Sequence, residues 1–97
     1  MAEVVWTDEA RRCLQAIYDF IAEDNEPAAY RLAVALHHRA EVLATFPEIG
    51  HRYADYPDVR VLLYGHYRLA YRVLRDRQVQ ILGVFHSAME IERYFKP

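Results

Sequence analysis

From Tyr67 to Leu74 the side chains alternate, with Tyr67, Leu69, Tyr71 and Val73 on one side of an extended backbone and Arg68, Ala70, Arg72 and Leu74 on the other. That period of two predicts a strand. Val59 to Leu63, broken by Tyr64-Gly65-His66, and Val79 to Phe85, reached through polar Arg75-Asp76-Arg77-Gln78, are β-branched and aliphatic runs of strand length. Short connections between consecutive strands permit only antiparallel pairing, so these runs predict a meander. Upstream the period lengthens. Ala10, Leu14, Ile17, Tyr18 and Ile21 share one helical face, which Thr7 caps and Asp8 and Glu9 complement at the positive end of the helix dipole. That helix is expected to end near Asp24-Asn25. Pro27 suits the first position of a second helix, with Ala29, Ala33, Leu36, Ala40 and Leu43 on one face and Phe46-Pro47 as its stop. A connection of about three residues makes the two helices an antiparallel hairpin. Glu3 to Trp6 reads as one more strand, residues 47 to 58 as a loop beside the sheet, and Ala88 to Phe95 as a short last helix. The order β-α-α-β-β-β predicts a two-layer α+β fold: a helical hairpin packed on a small, mainly antiparallel sheet.

Length limits the 97 residues to a single domain, 1–97, and 54% hydrophobic side chains suffice for a core. The single Cys13 excludes an internal disulfide and a cysteine zinc site; it reads as a small packing residue in a reducing, cytoplasmic compartment. The N-terminus lacks the basic-then-apolar pattern of a secretory signal, and no apolar run approaches the ~20 residues of a membrane span. Charge is unevenly spread. Residues 60 to 77 carry Arg60, Arg68, Arg72, Arg75 and Arg77 against Asp76 alone, whereas residues 1 to 59 carry five basic and eleven acidic side chains. A basic sheet on an acidic body suits an anionic partner, nucleic acid or an acidic protein segment, or else arginines that merely solvate a sheet edge.

Chemistry-bearing clusters are few. His37 and Glu41 lie four apart on a helix, but two ligands without an HExxH or cysteine set make no metal site. Gly50, Gly65 and Gly83 form no phosphate loop, and Ser87 lacks a nucleophile elbow. No metal, cofactor or small-molecule substrate is expected. His86 ends an apolar strand, Arg68 and Arg72 lie on the strand before it, and Glu48, His51, Arg52 and Asp55 lie on the preceding loop. A histidine that moves protons and arginines that hold a phosphate suffice for metal-free RNA cleavage. The other reading makes His86 a structural strand-end residue. Parity bears on the choice: if Leu82 and Val84 face the helices, His86 starts on that face and Arg68 does not.

Taken in order, Trp6-Thr7 leading into the first helix, Ala28-Ala29 opening the second, Phe46-Pro47-x-x-Gly50 closing it, Arg60 opening the meander, Tyr67-Arg68-Leu69-x-Tyr71-Arg72-Val73, and Ile81-Leu82-x-Val84-x-His86 resemble the RelE/ParE superfamily of bacterial type II toxins. The ending His86-Ser87-Ala88-Met89-Glu90 is similar to that of ParE-like members, which poison DNA gyrase. This resemblance implies a plasmid stabilisation-like toxin, neutralised by a cognate antitoxin whose tail folds onto it. Arg60, Arg68, Arg72 and Met89 are then the partner-binding residues. The alternative within the superfamily is a RelE/YoeB-like endoribonuclease that cuts mRNA on the ribosome. There Arg68 and His86 match a catalytic arginine and histidine, but Ser87 stands where that branch has tyrosine, and no lysine precedes Lys96.

Overall fold

The computed structural model describes residues 1–95, apart from the side chains of Ala88 and Met89, which lie within a helix. The elements are β1 (Glu3–Trp6), α1 (Asp8–Ala22), α2 (Glu26–Thr45), β2 (His51–Tyr53), β3 (Tyr56–Tyr64), β4 (Tyr67–Val73), β5 (Gln78–Phe85) and α3 (Ala88–Phe95). They build the expected α+β architecture. The sheet runs β1-β5-β4-β3-β2, with β1 parallel to β5 and every other pair antiparallel.

Thr7 joins the layers at the start of α1. Its hydroxyl accepts the Ala10 N–H at 3.1 Å and donates to the Ile81 carbonyl at 2.8 Å, so one side chain caps the helix and ties it to β5. α1 ends at Ala22, short of the expected Asp24-Asn25. Asn25 serves α2 instead: its side chain accepts the Ala28 N–H, and Pro27 falls inside the first turn, where no amide is needed. Leu36, Ala40 and Leu43 of α2 meet Trp6, Leu62, Leu69, Tyr71, Val79, Ile81 and Val84 of the sheet in the main core. The opposite sheet face carries a second, smaller cluster of Val59, Val61, Ala70, Phe85 and Ile91. α3 lies on this otherwise open face through Ile91, which is buried.

Residues 47 to 58 are not simply a loop, as the sequence suggested. They contain β2 and the beginning of β3. Pro57 hid the strand, because it cannot donate to a ladder. A register shift resolves this: Arg52 pairs with Arg60 and Tyr53 with Tyr56, so residues 57 to 59 bulge out of the pairing. The Pro57 carbonyl accepts from Arg52 Nη1 at 3.2 Å.

Both tight hairpins use left-handed backbone. Gly65 (φ 57°) occupies the first of two positions between Tyr64 and Tyr67, the type II′ arrangement. Arg77 (φ 61°) takes the left-handed position at the β4–β5 turn without being glycine. A non-glycine side chain there costs about 1–2 kcal/mol. Arg77→Gly is therefore expected to stabilise the fold by about 1 kcal/mol, read as a higher urea midpoint at unchanged slope.

Candidate functional site

Register decides which chemical groups can meet. Arg68 stands opposite Phe85 on one side and Leu63 on the other, whereas Leu69 stands opposite Val84. Phe85 belongs to the open-face cluster and Val84 to the core under the helices. Arg68 therefore points to the open face. His86, one residue beyond Phe85, lies on the helical side, beside Cys13, Ala16, Ile17 and Phe20 of α1. A bulge in β5 complicates the parity expected from sequence: Ala70 pairs with Gly83 and Tyr71 with Ile81, leaving Leu82 as the extra residue, packed against the open-face cluster. Val84 returns to the helical face, and His86 follows it there.

The sheet therefore stands between Arg68 and His86. The loop groups that sequence reading grouped with His86 are divided as well. His51 lies in a hollow with Tyr53, Val61, Leu63, Arg68 and Ile91 on the open face. Glu48 is drawn to Arg60, with its carboxylate 3.7 Å from the guanidinium.

His86 has a local structural setting. Its ring meets the edge of Tyr67 at 5.1 Å between centroids, and its backbone N–H donates to Glu90 Oε1 at 2.8 Å. Ser87 Oγ accepts the Glu90 N–H at 3.3 Å, so Ser87-x-x-Glu90 is a capping box whose carboxylate reaches back to the residue before the cap. That spacing was visible in the sequence as a helix-start signal, and it accounts for the histidine–serine–acidic tail as the hinge between β5 and α3.

The arginines of the meander play three different parts. Arg60 is committed inward: Nη1 donates to the Glu48 and Gly50 carbonyls at 3.0 and 2.8 Å, and only 17% of the side chain is exposed. It pins the turn after α2. Arg72 Nε lies 3.0 Å from Asp58 Oδ2, an ion pair by distance in which the N–H does not aim along a hydrogen bond. The half-buried Arg68 makes no hydrogen bond or ion pair with another described residue. Of the three it alone presents an uncommitted positive charge. Met89 belongs to the first turn of α3, and the position of its side chain is outside the described residues.

Two surfaces escaped the sequence reading. Tyr53, Tyr56 and Phe95 cluster at the end of the open face, with Tyr56 donating its hydroxyl proton to the Phe95 carbonyl. Burial raises the Tyr53 phenol above its ordinary pKa, and the negative charges of Glu92 and Asp55 add to the effect. On the other face, Cys13, Ala16 and Phe20 form a second apolar stripe on α1 beside the core stripe, and Phe20 is 77% exposed. Their i, i+3, i+7 spacing was the available signal. Among the described residues no three histidine, cysteine or acidic side chains converge to hold a metal ion, and no helix is long and apolar enough to cross a membrane.

Residues 4–91 match the family model described as the ParE toxin of the type II toxin–antitoxin system parDE. Toxin RelE2 of Caulobacter vibrioides is 38% identical over 88 residues, spanning 91% of this chain and 98% of that one. Among solved structures, the chromosomal ParDE toxin–antitoxin system of P. aeruginosa superposes with a TM-score of 0.76 at 23% identity, over 90% of this chain and 97% of the other. The toxin–antitoxin complex RelBE2 of Mycobacterium tuberculosis gives 0.68 at 27% identity, over 88% and 96%. The chain belongs to the ParE toxin family of type II toxin–antitoxin systems, within the wider RelE/ParE group.

Proposed function

We infer that this toxin acts by binding rather than by chemistry, as a ParE-like inhibitor of DNA gyrase held in check by a cognate antitoxin. The observation that supports this reading is the separation of Arg68 from His86 by the sheet. Strand-scission chemistry needs a proton-transfer group and a phosphate clamp within hydrogen-bond reach of one substrate. Two groups on opposite faces of a sheet cannot serve one phosphodiester. A half-buried arginine with no hydrogen bond or ion pair to another described residue, set among Leu63, Val61 and Ile91, suits docking to an acidic protein surface instead. The antitoxin tail is the second partner, bringing apolar side chains and acids to the same face.

One observation favours the endoribonuclease alternative in an altered form. His51 shares the hollow with Arg68, so an RNA-cleaving site would pair Arg68 with His51 rather than His86. The relative named RelE2 keeps that alternative in view.

Inducing the chain without an antitoxin and pulse-labelling new DNA and new protein over the first minutes tests the choice. An early fall in DNA synthesis with translation following later is the expected result. An early fall in protein synthesis, with mRNA cut in codon register, overturns it and moves attention to Arg68 and His51.

A further inference from the structure

Tyr53 divides the open face into two hollows of opposite sign. On one side lie Arg68 and His51 with apolar walls. On the other, a cavity of about 200 Å³ is lined by Tyr53, Asp55, Tyr56, Glu92 and Phe95. The three rings lie with centroids 5.1 to 6.0 Å apart and planes within 38° of one another. They are too close to admit a group between them, so a ligand in the hollow meets the cluster from its outer side, as a tilted platform rather than a box. Asp55 and Glu92 stand at its rim, both exposed, and neither makes a hydrogen bond or ion pair with another described residue.

The chemistry of such a hollow selects its ligand. Aromatic faces carry a negative quadrupole that attracts cations, and two carboxylates beside them, with no ion pair among the described residues, strengthen the same preference. A guanidinium satisfies both features, because its planar face stacks on a ring while its edge N–H groups donate to carboxylates. An ammonium is a compact, strongly hydrated charge that gains less from a flat platform.

We propose that this hollow is an arginine-binding site for a partner protein, and that the same partner places an acidic side chain in the adjoining Arg68 hollow. Tyr53 is the shared wall, so the face reads an acid and an arginine close together on one segment. This assignment goes beyond the reading of the toxin's target and holds whether that target is gyrase or the ribosome. It also differs from the simplest expectation for a basic sheet, in which the partner is acidic throughout.

The test titrates the full-length, ¹⁵N-labelled chain with capped arginine, capped citrulline, which is its neutral near-isostere, and a capped Glu-Gly-Arg peptide, following backbone amide shifts. Capped arginine is expected to move the amides of Tyr53, Asp55, Tyr56 and Glu92 and to bind about tenfold more tightly than citrulline. The exposed double substitution Asp55→Asn/Glu92→Gln leaves the fold intact and is expected to remove that preference. The Glu-Gly-Arg peptide is expected to bind more tightly than capped arginine, and Arg68→Gln to erase the difference. Equal binding of arginine and citrulline, no saturable shift at these amides, or an unaffected double variant overturns the site. Equal binding of the peptide and capped arginine overturns its assignment to a partner protein and gives the hollow to free guanidinium compounds.

Discussion

Arg68→Ala is expected to weaken inhibition of gyrase supercoiling by about 30-fold, the loss typical of a central arginine contact, while His86→Ala leaves inhibition within about twofold. The asymmetry follows from what each side chain does in the free protein. Arg68 is half-buried beside Leu63 and Phe85 and makes no hydrogen bond or ion pair with another described residue, so its removal breaks no such internal bond. A loss of activity at an unchanged melting temperature then reports a lost contact with the target. The His86 ring packs on Tyr67, and the Glu90 cap uses the His86 backbone N–H, which alanine retains. Loss of toxicity in His86→Ala, in protein whose melting temperature is unchanged, would sink the binding mechanism and restore a catalytic histidine.

Gly50→Ala is expected to produce a stability loss that is large for a methyl-sized change. A Cβ at position 50 would lie 2.7 Å from both Cε1 and Oη of Tyr71 and 2.8 Å from the Val61 carbonyl oxygen. Tyr71 is fully buried and the Val61 carbonyl is backbone, so neither can withdraw cheaply. The same displacement breaks the 2.8 Å hydrogen bond from the Gly50 N–H to Tyr71 Oη. Overpacking together with an orphaned amide amounts to about 3 kcal/mol, or a fall in Tm of roughly 12–24 °C for a domain of this size. Tyr71→Phe removes one of the three atoms in the way, so the double variant is expected to lose less than the two single losses combined. A Gly50→Ala protein within about 0.5 kcal/mol of the parent would contradict this account.

Burial also raises the Tyr71 phenol, outweighing the Gly50 hydrogen bond and the nearby Arg60 charge, which both lower it. The unfolded chain therefore ionises first as pH rises. The stability that Tyr71 contributes is complete below about pH 10 and is lost above it, and Tyr71→Phe should flatten that alkaline decline.

Elements whose pattern is a clean period were legible in the sequence, and those that break a period were not. The alternation of Tyr67 to Val73 fixed both faces of β4, and the helical spacing from Ala10 to Ile21 located the buried side of α1. Pro57 concealed β2 and the start of β3, because a bulge that excuses a missing amide leaves no trace in composition. Leu82 reads as an ordinary inward residue until its bulge turns it outward. The candidate site suffered more than the fold. Charge counting joined Arg60, Arg68 and Arg72 into one patch, whereas burial and pairing separate them: Arg60 clamps the turn after α2, Arg72 faces Asp58, and Arg68 remains uncommitted. The platform of Tyr53, Tyr56 and Phe95 joins residues about forty positions apart, a closeness that only the tertiary fold creates.

The parallel pairing of β1 with β5 sets an order in time. Glu3 to Trp6 find their sheet partners only in Gln78 to Ile81, near the other end of the chain. At about 5–20 residues per second, several seconds of translation separate the two strands. During that interval the main core lacks Val79, Ile81 and Val84, and the open face lacks Phe85 and Ile91. The nascent chain cannot assemble its open face before its last strand is free to fold. For a toxin of this family that order builds in a delay between synthesis and completion of the folded surface, during which an antitoxin already present can meet an unfinished chain.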